Sequence, residues 1–182
     1  MELVFLLEEP SAKEMLKGVL PRFVPEDVRI RYLVFEGKQD LAKKMPRRLK
    51  AWQSQDARFV VLQDRDGADC YQLKNKLVDL CKQANKTGVL IRIACRELES
   101  WYLGDLKAVE KGMAINGLSK MQNKRKYRTP DRLGNPVQEL TRIATEYQKI
   151  AGSRAIGPHM DLENNCSTSF NTFVSGVRRV IA

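Results

Sequence analysis

Three pairs of acids stand where short apolar runs give out. Glu8 and Glu9 follow ELVFLL, Asp64 and Asp66 follow RFVVL within QDRDG, and Glu97 and Glu99 follow VLIRIA within CRELESWYLGD. Carboxylates gathered at one edge repel one another and raise one another's pKa, a cost that bound cations offset. With a single histidine, His159, and no C-x-x-C among the 4 cysteines, the donors on offer are oxygens. Oxygen donors suit a hard ion, Mg²⁺ or Mn²⁺, which polarises a phosphoryl group and activates a water. No Ser/His/Asp or Cys/His arrangement, no G-x-x-x-x-G-K-[ST] and no G-x-G-x-x-G is present, so acyl transfer, P-loop hydrolysis and dinucleotide redox chemistry find no support.

Phosphate esters also suit the charge. Lysine and arginine total 32 against 22 acids, a formal charge of +10, which favours a polyanionic partner such as nucleic acid. The densest cationic stretch is KMQNKRKYRTPDR, where Lys120, Lys124, Arg125, Lys126, Arg128 and Arg132 surround Tyr127. That pattern suits phosphate contacts with one stacking aromatic, against the plainer reading of a solvated loop. Arg65, between the two aspartates, is placed either to hold a substrate phosphate or to neutralise its neighbours.

The elements that must carry these groups read as alternating strands and helices. Strands are expected at 2–7, 28–35, 58–62 and 89–94, each short and apolar. Helices are expected after Pro10, with Ser11-x-x-Glu14 as a capping box and an end near Pro21; over 39–52, kinked or split by Pro46; and over 69–84. This alternation predicts an α/β fold with a central parallel sheet of about four strands, whose functional crevice lies beyond the carboxyl ends of the strands, where the acids sit. From Glu97 the β pattern stops. Helices are expected over 98–114, 137–150 and 170–181, giving one domain over 1–182 with an α/β core at 1–96 and a helical part at 97–182. No apolar run approaches the roughly 20 residues that cross a bilayer, and the opening MELVFLLEEP reads as a strand rather than a signal peptide, so a cytoplasmic protein with reduced, mostly buried thiols is expected.

The position of the acids distinguishes two phosphoryl-transfer schemes. Haloacid-dehalogenase-like phosphatases carry D-x-D on the first strand; here the first strand ends in Glu-Glu and D-x-D follows the third. That order resembles the Toprim fold of topoisomerases, bacterial primases and nucleases of the overcoming-lysogenization-defect type. LLEEPSAKEMLKGVLPR, VVLQDRDGADC, IACRELESWYLGD and NCSTSFNTFVSGV are similar to small stand-alone Toprim-like bacterial proteins, over most of the chain. The resemblance implies Glu8 as metal ligand or general base, Asp64 and Asp66 as the metal-binding D-x-D, and Glu97 or Glu99 completing the site. It also implies an AAA-type or SMC-like ATPase partner and a role in antiviral or anti-plasmid defence. Glu9 stands where the family pattern has glycine, which leaves Glu8 and Glu9 as alternatives. A helix turns about 100° per residue, so Glu97 and Glu99 point apart; Glu99 is preferred.

The expected function is therefore metal-dependent DNA endonuclease activity, with RNA and a homodimer left open. The alternatives are a catalytically weak binding or regulatory module of an ATPase complex and a small-molecule phosphatase. Trp101 and Tyr102 are expected in the core, His159 in an ordinary loop, and Ser167, Thr168 and Ser169 as hydroxyl caps of the last helix.

Overall fold

Residues Leu3 to Leu7 are fully buried, the behaviour of a strand covered on both faces, and the computed structural model, which describes residues 1–182, places them at the centre of a sheet. Strands β1 (Glu2–Leu7), β2 (Arg29–Val34), β3 (Ala57–Asp64) and β4 (Leu90–Ala94) are all parallel, in the order β2-β1-β3-β4. The expected α/β class is thus what the chain adopts. Leu7 lies opposite both Val34 and Leu62, and Asp64 opposite Ala94, so Glu8, the D-x-D and the segment after β4 leave the sheet at one edge.

Side chains alternate between faces along each strand. Val4, Leu6, Phe59, Val61, Ile91 and Ile93 face α2 (Lys38–Lys50) and α3 (Cys70–Gln83). Leu3, Phe5, Leu7, Val60, Leu62 and Ala94 face a thicker layer of α1 (Pro10–Val19), α4 (Glu99–Leu103), α5 (Leu106–Gly112), α7 (Pro136–Ile143), α8 (Lys149–Ile156) and α9 (Thr168–Ile181), with short α6 (Arg125–Arg128) at its rim. Trp101 packs on Phe170 and Phe173 with ring centroids 5.3 and 5.2 Å apart, so residues beyond 97 share one core with β1 and β3. No helix is long and apolar enough to cross a membrane.

Several elements differ from the sequence pattern for local reasons. The capping box does not form: Pro10 takes the first helical position, Ser11 donates its hydroxyl to the Glu9 carboxylate, and Glu14 pairs with Lys17 and Arg154, each at 2.7 Å. Helix α2 runs through Pro46 without splitting, held by Leu41, Met45 and Leu49 at four-residue steps. The helix expected over 98–114 breaks at Gly104 and Asp105, and Asp105 caps α5 by accepting from the Ala108 N–H at 3.0 Å. The helix expected over 137–150 is two, separated by residues 144–148. Of the three hydroxyls expected to cap α9, Ser167 does so, while Thr168 and Ser169 lie in its first turn and Ser169 Oγ accepts from Trp101 Nε1 at 2.8 Å. All four thiols are free; Cys81 is buried, and Cys70, Cys95 and Cys166 are half-buried rather than buried.

Candidate functional site

The edge beyond β1, β3 and β4 divides its acids between the two faces of the sheet. Asp64 continues the Val60, Leu62 alternation and faces the thicker helical layer, where its Oδ2 accepts from the Leu98 N–H at 3.3 Å. Burial pushes its carboxyl well above the usual range, and the charges of Glu9, Glu99 and Glu8 push it further. Glu99, in the first turn of α4, is completely buried. Tyr147 donates its hydroxyl to Glu99 Oε1 at 2.8 Å, while Oε2 has no partner. Burial raises the Glu99 carboxyl, against the pull of Lys149 and Tyr147. Glu9 precedes α1, and its Oε2 pairs with Lys149 Nζ at 3.3 Å.

Glu8 and Asp66 form a second group. Glu8 Oε2 accepts from the Asp64 N–H at 3.1 Å, which ties the end of β1 to the end of β3. Burial raises the Glu8 carboxyl; the Asp64 N–H opposes this, and Asp66 and Glu9 add to it. Asp66 pairs with Lys38 at 2.9 Å in the open. Gly37, at φ 90°, donates to the Glu8 carbonyl at 3.0 Å and so begins α2 with Lys38 against this edge.

Backbone strain marks the same place. Asp66 and Arg96 have φ of 51° and 69°, and the Asp66 N–H donates to the Arg96 carbonyl at 2.7 Å. A left-handed arginine costs on the order of 1 kcal/mol, which the strand ends hold in place. Glu97 is used elsewhere: its Oε2 accepts from the Val137 N–H at 3.2 Å, at the start of α7.

Of the expected ligand set, then, Asp64 and Glu99 come together with Glu9, Glu8 and Asp66 come together with Lys38, and Glu97 caps a helix. No group of three or more acid, histidine or cysteine side chains is drawn tightly enough to hold an ion. The chemistry of the first group nevertheless fits a hard cation: its donors are all oxygens, two carboxyls are raised by burial and by neighbouring charge, and Glu99 Oε2 is a buried acceptor with nothing to accept. Tyr147 and Lys149 belong to this group although the sequence pattern did not single them out.

The cationic stretch lies at the same end of the molecule. Asp131 accepts from Ser167 Oγ at 2.6 Å and from the Ser169 N–H at 2.8 Å, and Ser169 Oγ accepts from the Cys95 N–H just beyond β4 at 3.3 Å. This chain of bonds fastens the turn after α6 to the acid edge. Lys124, Arg125, Lys126, Arg128 and Arg132 line an open cleft of ≈ 810 Å³. Lys126 is taken by Glu139 at 2.9 Å, whereas Lys124, Arg125, Arg128 and Arg132 have no acid partner. Lys120 is exposed outside the cleft lining. Tyr127 is not a stacking platform: it is fully buried, with its hydroxyl on Glu139. Arg65 lines a separate ≈ 650 Å³ hollow with Lys38, Asp66 and Lys76, and its buried Nε has no partner. Trp101 and Tyr102 are core residues, and His159 is exposed.

No curated protein and no solved structure matches the chain. A family profile described as a domain of unknown function, DUF4276, matches residues 7–178. Its span runs from the end of β1 into α9 and takes in both acid groups and the cationic cleft, and the chain belongs to the DUF4276 family.

Proposed function

We propose that the protein hydrolyses phosphodiester bonds of nucleic acid with the help of Mg²⁺ or Mn²⁺, the reaction class its Toprim resemblance implies, though with Glu9 and Glu99 in place of Asp66 beside Asp64. The observation that carries the reading is the pairing of an under-neutralised carboxylate group, with its partnerless Glu99 Oε2, and a cleft of four unpaired cations fastened to the same sheet edge. Asp64, Glu99 and Glu9 would hold the ion. A bound ion supplies polarisation of the phosphoryl oxygens and a more acidic water.

The chain's own groups do the rest. Arg125, Arg128 and Arg132 hold the sugar-phosphate backbone by charge, without reading bases. Glu8, whose carboxyl is raised by burial, is fixed by the Asp64 N–H at the end of β1, where it is assigned to take a proton. The attacking water forms the new P–O bond, its proton passes to Glu8, the P–O bond to the departing sugar breaks, and that oxygen is protonated from solvent. The resemblance adds an ATPase as the companion that would present or release the substrate.

The test is incubation of the protein with labelled DNA and RNA of one sequence in Mn²⁺. The proposal requires fragments of at least one of them, absent when EDTA is added; intact DNA and RNA, with and without an ATPase partner, would refute it. A second reading, a binding module that has lost catalysis, is favoured by Lys38 and Lys149 standing on the acids. It predicts nucleic-acid binding that is indifferent to divalent ions.

A further inference from the structure

Lys149 opens α8 and reaches across the helical layer to Glu9, 140 residues away in sequence. Through that contact its ammonium brings one positive charge to the acid group. It nonetheless leaves the group unfinished. Its bond is to Glu9, at 3.3 Å, and it makes none to Glu99, whose Oε2 stays buried without a donor while Tyr147 occupies Oε1. A structural ion pair satisfies its acceptors; this one places a single positive charge among three carboxylates and leaves a desolvated oxygen spare. No other basic side chain is engaged there: Arg154, one turn along α8, is bound to Glu14 at 2.7 Å, and Lys38 to Asp66 at 2.9 Å. The Lys149 side chain is 44% exposed, so it can leave through solvent without disturbing the core.

We propose that a divalent cation and the Lys149 ammonium compete for one place among Glu9, Asp64 and Glu99, the lysine serving as counter-ion in the ion-free protein and swinging out when an ion enters. This rests on the reading of the acid group as an ion site. It accounts for the carboxylates not being gathered around a common centre while the lysine is in place. It also makes the site self-restraining, since an ion must displace a tethered cation whose local concentration is high.

The experiment is calorimetric titration of Mn²⁺ into the ion-free protein and its Lys149→Met variant at one fixed pH. Removal of the competing charge should tighten ion uptake by about tenfold. Lys149→Gln serves in the same titration if the methionine variant does not fold. Independently, reductive methylation of the parent protein, followed by mass spectrometry, should modify Lys149 faster at saturating Mg²⁺ than in EDTA. Uptake of Mn²⁺ by the parent with equal or weaker uptake by the variants, or methylation of Lys149 unchanged by Mg²⁺, overturns the competition and leaves the ion site standing. No uptake by parent or variants at millimolar Mn²⁺ overturns both.

Discussion

Asp64 carries the least comfortable charge at the sheet edge, held by one N–H and surrounded by Glu9, Glu99 and Glu8. A carboxyl whose folded pKa is raised stabilises the fold below its ordinary 3.8 and loses that contribution as pH rises through the raised value, so at neutral pH its ionisation works against folding. Asp64→Asn keeps the acceptor for Leu98 and removes the charge. It should raise the melting midpoint at pH 7 by about 2–4 °C, a gain that shrinks towards acid, which calorimetry at two pH values would follow. The same substitution should cost at least about a hundredfold in cleavage rate, a gain in stability bought with activity. At this scale the sequence pattern was right about residue types and incomplete about partners. Glu97 and Glu99 are two residues apart, and only the turn at the start of α4 sends one to the α7 N-terminus and the other beneath Tyr147. Lys149 could not be found by spacing, because what places it is the packing of α8 against α1.

Among the elements, β1, β3 and α3 were legible because burial on both faces writes continuous apolar runs in the two central strands and burial on one face writes a three- and four-residue step in the helix. The breaks in the later helices were not, because they answer to tertiary packing. A Cβ on Gly104 would collide with Asn165 Oδ1 and stand 2.8 Å from the Ser167 nitrogen, so the chain can turn there only as glycine. Gly104→Ala should therefore destabilise the protein by about 1–3 kcal/mol in urea titration, with no change in the acid group itself. The cationic cleft depends likewise on one acid: Glu139 accepts from Tyr127, Lys126 and Arg142 and ties α6 to α7. Burial alone would raise its carboxyl, but those donors bring it down from 4.5 to about 2. Its stabilisation is therefore complete above 4.5 and lost as pH falls towards 2. Glu139→Gln should cost about 1–3 kcal/mol at pH 7 and flatten the acid limb of the stability profile in that window, as chemical denaturation across pH would record.

For the molecule as a whole, the net charge of +10 is informative because of its distribution. Six of the 22 acids stand at the strand ends, and Lys124, Arg125, Arg128 and Arg132 are unpaired on the segment fastened to that edge, an arrangement that draws a polyanion across the carboxylates. Replacing Arg125, Arg128 and Arg132 together by alanine should weaken duplex binding alike for every sequence. It should also lower the slope of log affinity against log salt by about 0.9 for each phosphate no longer neutralised, as fluorescence anisotropy over a salt series would show. The measurement closest to the central claim is the nicking of supercoiled plasmid in Mn²⁺ by the parent protein and by Asp64→Asn, with and without EDTA. Nicking by the parent alone, lost on chelation, is expected. Nicking that survives Asp64→Asn or EDTA would contradict it.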